Sequence, residues 1–567
     1  MQQKIPYGLS NFKTVISEQY VYVDKTRFIA ELERNGRHHI LLRPRRFGKS
    51  LWLSALEYYY DVNAASVFTE LFGHLDIGRH PTPLKNSYQV LFMEFSGIST
   101  QDSTHILSSF NTTIDVALGS FLRRYDYPED IRATILDKNT PEEKVKPFME
   151  AVEQSGQKIL LLIDEYDHFA NSILADNLQL FQQMVGKGGF VRSFYETLKA
   201  ATQRGVIDRL FITGVTPVML DSLTSGFNIG ENLSFTETFN ECMGFTRAEV
   251  ETLVQPLIEK CELDQHSLMQ DITHWYNGYR FHMQAAERMY NSDMVLYFIK
   301  NYDYKRCTYP KRMLDMNIAS DYGKILGLFS IGDRDRNYQV LETLLNEGEV
   351  IAEQAEKFDF DKGFTRDDFI SLLAYMGFAT PERETLAGDA FVIPNQVMRE
   401  LYFRYFKVEL ERLNDLSIST HAMRLAVEAL ALRADMQPLI TELERVLQLL
   451  SNRDALWLDE EHIKTILLTL LYQSSAYFIQ SEREMNRRYP DILLLERSPY
   501  KVAYQHLIEL KYSRKKAGSS GWQARQNEGW QQVQEYLQLP DIKALSGLKA
   551  WLIVTDGERI SVENVAI

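Results

Sequence analysis

Short apolar runs alternate with helical segments between about residue 20 and residue 218. The runs at 38–42, 88–96, 158–167 and 208–215 predict buried strands, and residues 50–61 follow the first run as a predicted helix. Long intervals of helical sequence separate the runs, which is typical of a parallel sheet with crossover helices. We therefore predict an α/β domain with a parallel sheet over residues 1–240.

From about residue 241 the pattern becomes helical. Apolar positions recur at helical spacing in 246–260 and again, amphipathically, in 415–450. Between them, 365–380 reads as a helix and 390–406 as a short strand followed by a helix. This succession is compatible with a winged-helix-like module, and a plain helical connector is an equal alternative. Residues 241–450 are predicted to form a helical middle region.

The last part of the chain contains strands again. Residues 460–478 predict a helix, 491–497 and 501–512 predict two strands around a Ser-Pro turn, and 529–539 predict a second helix. Residues 549–557 predict a final strand. The order α-β-β-α-β indicates a separate α/β domain over residues 451–567.

Net charge, cysteine spacing and the length of the apolar runs argue against several classes of protein. The 567 residues carry a formal net charge of −15, so any polyanion must be met by a local basic patch. The cysteines form no CxxC pair, which argues against a zinc site or a disulfide framework and favours a reducing cytosol; they are Cys242, Cys261 and Cys307. No apolar run approaches the ~20 residues that span a bilayer, so we expect a cytoplasmic protein without membrane contact.

The segment RPRRFGKS at 43–50 lies between the first predicted strand and a helix. In that context a GK[ST] sequence predicts a phosphate-binding loop whose backbone N–H groups cradle phosphates. We expect Lys49 to contact the β- and γ-phosphates of ATP and the Ser50 hydroxyl to bind Mg²⁺. Arg43 replaces the usual first glycine. The residues expected around the nucleotide are Arg45, Arg46, Phe47, Gly48, Lys49, Ser50 and Leu51.

Two acids end the strand in KILLLIDEYD at 158–167. After a phosphate loop, this pattern predicts that Asp164 binds Mg²⁺ through water and that Glu165 is the general base for the attacking water. Thr213 ends the strand RLFITGV. It is a candidate sensor of the γ-phosphate, or equally a cap for the following turn.

A second constellation of acids lies near the carboxyl end of the chain. Asp491 follows Pro490 at the start of one predicted strand, and Glu509-Leu510-Lys511 lies at the end of the next predicted strand. Alternation along a strand places Glu509 and Lys511 on one face. We expect Asp491, Glu509 and the Leu510 carbonyl to bind Mg²⁺, or alternatively Mn²⁺, with Lys511 orienting water or stabilising the transition state.

Neighbouring residues extend this predicted metal site. Glu461, on the preceding helix beside Glu460, is an additional candidate metal ligand. Gln532 and Tyr536 lie one helical turn apart on the following helix. A basic cluster is expected either to meet a phosphate backbone or to form a solvated rim; it comprises Arg483, Arg487, Arg488, Arg514, Lys515 and Lys516.

The motifs in the first half of the chain resemble the bacterial AAA-ATPase-like family, a relative of archaeal-type and STAND ATPases. The resemblance rests on residues 6–26, RPRRFGKS, LLIDEYD and ITGV, and extends to WYNGYRF at 275–281 and YNSDMVLYF at 290–298. In that family an arginine at the position of Arg43 is usual, so the resemblance implies an intact ATP site.

Residues 450–567 resemble the PD-(D/E)XK nuclease domain that accompanies this ATPase family, through RRYPDILLLERSPY and HLIELKYSRKK. The resemblance implies a restriction-endonuclease-like core acting on nucleic acid, which we expect to be DNA, in defence or mobile-element biology. Arg487 stands where many members have glycine.

Three functions remain open at this point. They are an ATP-regulated nuclease, a STAND-like ATP switch whose last domain binds nucleic acid or a protein without cutting, and a DNA-binding regulator acting through 365–406. Every ligand position of the predicted metal site near the carboxyl end is occupied by a suitable residue, which favours the first function over the second. The net negative charge of the chain argues against the third. A homo-oligomer is compatible with each.

Overall fold

The structure, a computed structural model, describes residues 4–219, 230–358, 360, 363–414, 416–454, 459–481, 490–514 and 518–566. The chain divides into two compact units. The first contains residues 1–300, 314–344 and 349–398, and the second contains residues 301–313, 345–348 and 399–567. The division into three domains with boundaries after residues 240 and 450 stays a prediction.

A five-stranded sheet, parallel throughout, organises the first unit. Its spatial order is β2-β3-β4-β1-β5, and every pair is parallel. The predicted strands are confirmed to within a few residues; the sheet consists of β1 (His38–Leu42), β2 (Gln89–Glu94), β3 (Ile159–Asp164), β4 (Ile207–Gly214) and β5 (Glu231–Asn232). Since the central strands β1 and β3 are buried almost throughout, the sheet is covered on both faces, as near-continuous apolar runs predict.

Helices connect these strands, as parallel pairing requires. Among them, α8 begins with a capping box in which the Thr140 and Glu143 side chains bond each other's backbone N–H groups. The helices are α1 (Phe12–Ser17), α2 (Arg27–Arg34), α3 (Lys49–Tyr60), α4 (Phe68–Phe72), α5 (Asp76–Arg79), α6 (Ser103–Arg124), α7 (Glu129–Leu136), α8 (Pro141–Gln154), α9 (His168–Asp176), α10 (Leu178–Val185) and α11 (Phe190–Gln203).

The middle of the chain is mainly helical, as predicted. Its helices are α12 (Arg247–Cys261), α13 (Gln265–Tyr276), α14 (Ser292–Asn301), α15 (Met316–Ile325), α16 (Arg334–Asn346) and α17 (Arg366–Met376). It also forms an antiparallel sheet of order β6-β8-β7, from β6 (Glu349–Ala352), β7 (Thr380–Thr385) and β8 (Gly388–Val392). A small antiparallel sheet thus accompanies α17, and the winged-helix-like interpretation stays a prediction.

A second five-stranded sheet lies in the second unit, in the order β13-β12-β11-β10-β9. β11 and β12 pair in parallel, and the other neighbours are antiparallel. The strands are β9 (Tyr477–Ser481), β10 (Ile492–Glu496), β11 (Gln505–Tyr512), β12 (Leu548–Thr555) and β13 (Ile560–Val565). The remaining helices are α18 (Gln396–Asn414), α19 (Thr420–Arg433), α20 (Gln437–Asp454), α21 (Glu460–Leu471), α22 (Gly518–Tyr536) and α23 (Pro540–Lys543).

The sequence prediction of this last domain was incomplete at three places. The helix predicted over 460–478 ends at Leu471, and its last residues belong to the strand β9. The predicted final strand is followed by β13, and α22 begins at Gly518, well before the predicted start at 529. Both missed strands are sheet-edge strands whose side chains are mostly not fully buried, so they lack the apolar run that revealed the central strands.

Cys242 is a buried free thiol, whereas Cys261 and Cys307 are disulfide-bonded. The expectation of no disulfide was therefore wrong, and it no longer supports a reducing compartment. Within the described ranges, none of the helices is both long and apolar enough to cross a membrane.

Candidate functional site

The loop after β1 has the geometry of a phosphate cradle. Gly48 adopts φ = 90°, a left-handed conformation that favours glycine, and α3 begins at the next residue. The Lys49 ammonium is buried and donates to the carbonyl oxygens of Arg43 and Pro44, each at 3.1 Å. Burial lowers the pKa of Lys49, while the acids Glu165 and Asp164 oppose that change. The lysine therefore lies in the loop with the carboxylates of β3 nearby.

Asp164, at the end of β3, lies beside the start of α3. Its carboxyl accepts a hydrogen bond from the Ser50 side chain and one of 2.9 Å from the Glu165 N–H. Burial raises the pKa of Asp164 to about 6, against the lowering effect of Ser50 and Lys49. The structure thus brings together the two side chains predicted to hold Mg²⁺, and their mutual hydrogen bond occupies oxygens that a cation would take.

Glu165 takes a left-handed backbone conformation with φ = 50°, which is strained for a residue with a side chain. It lines a cleft of about 350 Å³ together with Arg45, Arg46, Lys49 and His168. The same cleft is lined by Gly8, Leu9, Ser10, Gly48, Ser50, Leu51 and Asp293. The predicted base and the predicted phosphate-binding residues therefore face one space.

Arg43 has a structural role in place of the missing glycine. Its guanidinium is fully buried and donates to the carbonyl oxygens of Leu42, Ser234 and Phe239 at 2.9, 2.6 and 2.7 Å. It also lies 3.9 Å from the ring centroid of Phe281. The arginine side chain is thus bound within the interior of the first unit.

The two later motifs of the family resemblance, residues 275–281 and 290–298, contact residues of the phosphate loop. Phe47 is buried, and its ring meets Tyr279 and Phe281 edge-on at 4.9 and 5.5 Å between centroids. In the other motif, the Ser292 hydroxyl donates to the Arg46 carbonyl at 3.1 Å. The Asn291 side-chain amide donates to the Arg45 carbonyl at 3.1 Å, and the Asp293 carboxylate forms an ion pair with Arg46. No local sequence pattern indicates these contacts, because they join segments that lie far apart along the chain.

Thr213 is buried on β4, and its hydroxyl donates to the Leu41 carbonyl of the neighbouring strand at 2.8 Å. That bond is neither of the two roles expected from the sequence. The Asp167 carboxylate, for which the sequence predicts no role, accepts hydrogen bonds from the N–H groups of Val215 and Thr216 at 3.0 and 2.7 Å. The last acid of the DEYD motif therefore ties β3 to the segment after β4.

The second site lies where β10 and β11 diverge. The β10–β11 ladder stops at Ile492 and Ile508, and beyond it the Leu510 N–H donates to Asp491 Oδ2 at 2.8 Å. Because the N–H and C=O of a strand residue point to the same side, the Leu510 carbonyl also faces the Asp491 side. Glu509 is almost fully buried one residue before. Burial and the neighbouring Asp491 charge both raise the pKa of Glu509.

The positive charge of Lys511 offsets the negative charge of these acids. Its ammonium lies 2.8 Å from Glu509 Oε1 and 3.3 Å from Glu460 Oε1, and the three acids around it raise its pKa. Glu460 Oε2 also accepts from the Tyr512 N–H at 3.0 Å. Glu461, the additional metal ligand predicted from the sequence, is exposed on α21, and its role as a ligand stays a prediction. Lys464, one helical turn after Glu460, is buried and lowers the pKa of Asp491.

The donor set of this second site fits a divalent cation. Glu509 Oε2 is buried and has no hydrogen-bond partner among the described residues. Burial and the neighbouring Asp491 charge raise the pKa of Glu509, and burial also raises the pKa of Asp491, so two buried carboxylates here are unfavourable without a cation. No cluster of three or more His, Cys, Asp or Glu side chains suited to a metal occurs in the described part of the chain. The ligands available are therefore Asp491, Glu509 and the Leu510 carbonyl.

Helix α22 covers this site. Tyr536 is buried against the sheet in a cluster that includes Leu493 and Leu507, and burial, followed by the charges of Glu509 and Asp491, raises its pKa. Gln532 lies one turn earlier, with a buried Oε1 that lacks a partner among the described residues. Of the predicted basic cluster, Arg514 is exposed, and the other members lie outside the described residues: Arg483, Arg487, Arg488, Lys515 and Lys516.

A parallel sheet of this strand order, with a phosphate loop after β1 and acids after β3, defines a P-loop ATPase-type domain. Residues 6–224 match the family described as "Predicted AAA-ATPase", and residues 458–565 match the "PD-(D/E)XK nuclease superfamily". The chain therefore contains an AAA-ATPase-like domain and a PD-(D/E)XK nuclease superfamily domain.

One curated relative is similar over part of its length. It is described as "Uncharacterized protein in vnfD 5'region" from Azotobacter chroococcum mcd 1, and it is 27% identical over 315 residues, or 53% of this chain. The match covers 52% of the relative, so the chain spans about half the length of the curated protein it matches.

Proposed function

We propose that this protein binds and hydrolyses ATP in its first unit and cleaves nucleic acid, with a divalent metal, in its second. The observation that carries the nuclease assignment is the pairing of Asp491 with Glu509 around the Leu510 backbone. A buried carboxylate oxygen without a partner is costly unless a ligand completes it. A divalent cation is the ligand that suits this donor set.

In the ATP site, each side chain has a separate role in phosphoryl transfer. Lys49 exchanges the carbonyl oxygens of Arg43 and Pro44 for the oxygens of the β- and γ-phosphates. Ser50 and Asp164 would hold Mg²⁺, which would neutralise charge on those phosphates. Glu165 accepts a proton from the water that attacks the γ-phosphorus, and the bond to the ADP leaving oxygen breaks.

In the nuclease site, Asp491, Glu509 and the Leu510 carbonyl would hold Mg²⁺ or Mn²⁺. When bound, the metal supplies a water of lowered pKa and stabilises charge on the scissile phosphate. Lys511, already paired with Glu509 and Glu460, orients the attacking water with its ammonium protons. Glu460 fixes the position of Lys511 and does not itself bind metal.

We propose DNA as the substrate, with exposed Arg514 near the end of β11 as one phosphate contact. ATP binding regulates cleavage, and ATP is not consumed in the cutting step, since hydrolysis of a phosphodiester bond by water requires no nucleotide. A role in defence or in mobile-element biology fits this pairing of domains.

The alternative is an ATP-dependent switch whose last domain binds nucleic acid without cutting it. The ion pair between Lys511 and Glu509 is the observation that favours it, because a site filled by its own lysine binds metal less readily. The experiment that separates the two is cleavage of single- and double-stranded DNA and RNA by wild type and Asp491→Ala, with Mg²⁺ or Mn²⁺ and with or without ATP. Metal-dependent cleavage lost in the variant supports the nuclease. Binding without cleavage of any substrate supports the switch.

A further inference from the structure

The turn between β3 and α9 contains Glu165, the residue proposed as the general base of the ATP site. Its backbone φ of 50° lies in the left-handed region, which is unfavourable for a residue with a side chain. Such a conformation persists only where the surrounding structure holds it, and residues of this kind cluster at active sites. The contacts that hold this turn therefore bear on the position of the Glu165 carboxylate.

The Asp167 side chain makes most of the contacts of this turn. Its carboxylate is 1% exposed and accepts hydrogen bonds from the backbone N–H groups of Val215 and Thr216 at 3.0 and 2.7 Å. It also accepts from the Thr216 hydroxyl at 2.8 Å and from the Asn171 side-chain amide at 2.6 Å. These donors surround the carboxylate on both of its oxygens, so the side chain is fixed in one position.

Tyr166 adds a second connection between the turn and the segment after β4. Its backbone N–H donates to the Thr213 carbonyl at 3.2 Å, and its hydroxyl donates to the Thr216 carbonyl at 2.6 Å. Gly214 permits this close approach, because a Cβ there would lie 2.2 Å from Asp167 Oδ1 and 2.6 Å from Cδ1 of the Tyr166 ring. The two segments are thus joined by backbone and side-chain hydrogen bonds together.

Glu165 is also held at its own backbone. Its N–H donates to Asp164 Oδ1 at 2.9 Å, and its carbonyl accepts from the His168 N–H at 3.1 Å. Its side chain lines the same cleft as Lys49. Because the backbone conformation of a residue determines where its side chain points, the turn that Asp167 holds sets the position of the Glu165 carboxylate in that cleft.

From these contacts we infer that Asp167 is a positioning residue for ATP hydrolysis. It holds Glu165 in the backbone conformation from which the carboxylate accepts the proton of the attacking water. Thr216 has the same role, since its N–H and its hydroxyl both bond the Asp167 carboxylate. The inference rests on the proposed ATP site and names the residues that orient its base. A network that only stabilised the fold would leave turnover per folded molecule unchanged.

The test compares the full chain with Asp167→Asn, Thr216→Val and Thr216→Ser. Asparagine keeps the size of aspartate, but its NH2 group cannot accept the bonds that a carboxylate oxygen accepts. Asp167→Asn and Thr216→Val should each lower phosphate release at saturating ATP and Mg²⁺ by about tenfold to a hundredfold, because the base is misplaced. Their affinity for ATP, measured by calorimetry, should stay within about twofold of wild type, since the phosphate loop is unchanged. Thr216→Ser keeps the hydroxyl and should hydrolyse ATP at close to the wild-type rate.

A second measurement, hydrogen–deuterium exchange, needs no nucleotide. Peptides that cover residues 164–168 and 213–217 should exchange faster in ligand-free Asp167→Asn than in wild type, since the bonds between these segments are weakened. In a Glu165→Gln background, Asp167→Asn should cause no further loss of turnover, because both residues act through the same carboxylate.

Asp208→Asn is the matched control, because Asp208 is also buried but lies at the opposite end of β4. It should keep wild-type turnover per folded molecule. Wild-type turnover per folded molecule in Asp167→Asn would overturn the positioning role and leave the proposed ATP site standing. If Asp167→Asn does not fold, equal turnover in Thr216→Val and Thr216→Ser would have the same meaning. Wild type that releases no more phosphate than Lys49→Ala would overturn the proposed ATP hydrolysis, and the positioning role with it.

Discussion

Glu460 accepts a 3.0 Å hydrogen bond from the Tyr512 backbone N–H and lies 3.3 Å from the Lys511 ammonium. The first turn of α21 is thereby joined to the end of β11, where the predicted nuclease residues lie. Consecutive helical residues point about 100° apart, so Glu461 faces solvent while Glu460 faces the site. Two neighbouring acids of the same helix therefore have different expected roles.

Glu460→Gln should slow cleavage about tenfold, because the amide can still accept from Tyr512 but no longer pairs with Lys511. This corresponds to about 1.4 kcal/mol of transition-state stabilisation. Glu461→Gln is the matched control and should cleave at the wild-type rate. The measurement is the single-turnover rate on the preferred nucleic acid at saturating Mg²⁺. A larger loss from the Glu461 change would return the metal-ligand role to Glu461.

The distinction between Glu460 and Glu461 shows what the sequence of this domain could predict. The spacing of Asp491, Glu509 and Lys511 places them correctly because strand alternation has a fixed period. The predicted start of this helix at residue 460 is confirmed, but the helical pattern alone does not show which of two consecutive acids faces β11. The contact from Glu460 to Tyr512 joins two segments that are distant in the sequence, and no local pattern encodes it.

Asp491→Ala and Glu509→Ala should each abolish metal-dependent cleavage, since each removes one of two side-chain carboxylates from the proposed metal site. Chelation by EDTA should stop wild-type cleavage, and added Mg²⁺ or Mn²⁺ should restore it. Lys511→Ala should keep metal binding and slow the chemical step. Metal binding by calorimetry, followed beside cleavage, separates the two effects. Full activity in Asp491→Ala would assign cleavage to another site.

Lys49→Ala should abolish ATP binding, because it removes the one ammonium of the phosphate loop. Glu165→Gln should bind ATP at wild-type affinity and lose turnover, since an amide cannot accept the proton of the attacking water. Binding is measured by calorimetry and turnover by phosphate release. Wild-type phosphate release by the Glu165 variant would show that a different group is the base.

Arg43→Gly restores the glycine of the general loop motif, yet we expect it to destabilise the first unit by about 3 kcal/mol or more. The change leaves three buried carbonyl oxygens without their charged donor, and each such bond contributes about 1.5–3 kcal/mol. Arg43→Lys keeps the charge but cannot reach all three carbonyls, so it should also lower the thermal midpoint. Unchanged stability in both variants would contradict the structural role.

The ATP site was also only partly predictable. Gly48, Lys49, Ser50 and Asp164 follow from local motifs beside strand ends, and the structure brings them together. The hydrogen bond from Thr213 to Leu41 could not be predicted, because it depends on which strands are neighbours in the sheet. The same holds for Phe47 and Tyr279, whose ring contact joins segments distant in the sequence.

Asp164→Asn should stabilise the ligand-free protein at pH 7.5 and do so much less at pH 4.5. The raised pKa of about 6 means that the folded state favours the protonated carboxyl. Such a group contributes stability below its unfolded pKa and loses that contribution as the pH rises through about 6. At pH 7.5 the ionised, buried carboxylate therefore destabilises the fold by roughly 1–3 kcal/mol.

An asparagine at position 164 removes that charge and can still accept from Ser50 and from the Glu165 N–H, so its packing cost is small. The measurement is the midpoint of the thermal transition that responds to ATP, compared between wild type and variant at both pH values. Asp208 is the matched control, because its pKa lies below the usual range and Asp208→Asn should not stabilise at either pH. Saturating Mg²⁺ and ATP should reverse the order of wild type and Asp164→Asn, since the ion that Asp164 is proposed to bind would then stabilise only the wild type. A variant that is no more stable than wild type at pH 7.5 would show that the ionised Asp164 carboxylate does not destabilise the folded protein.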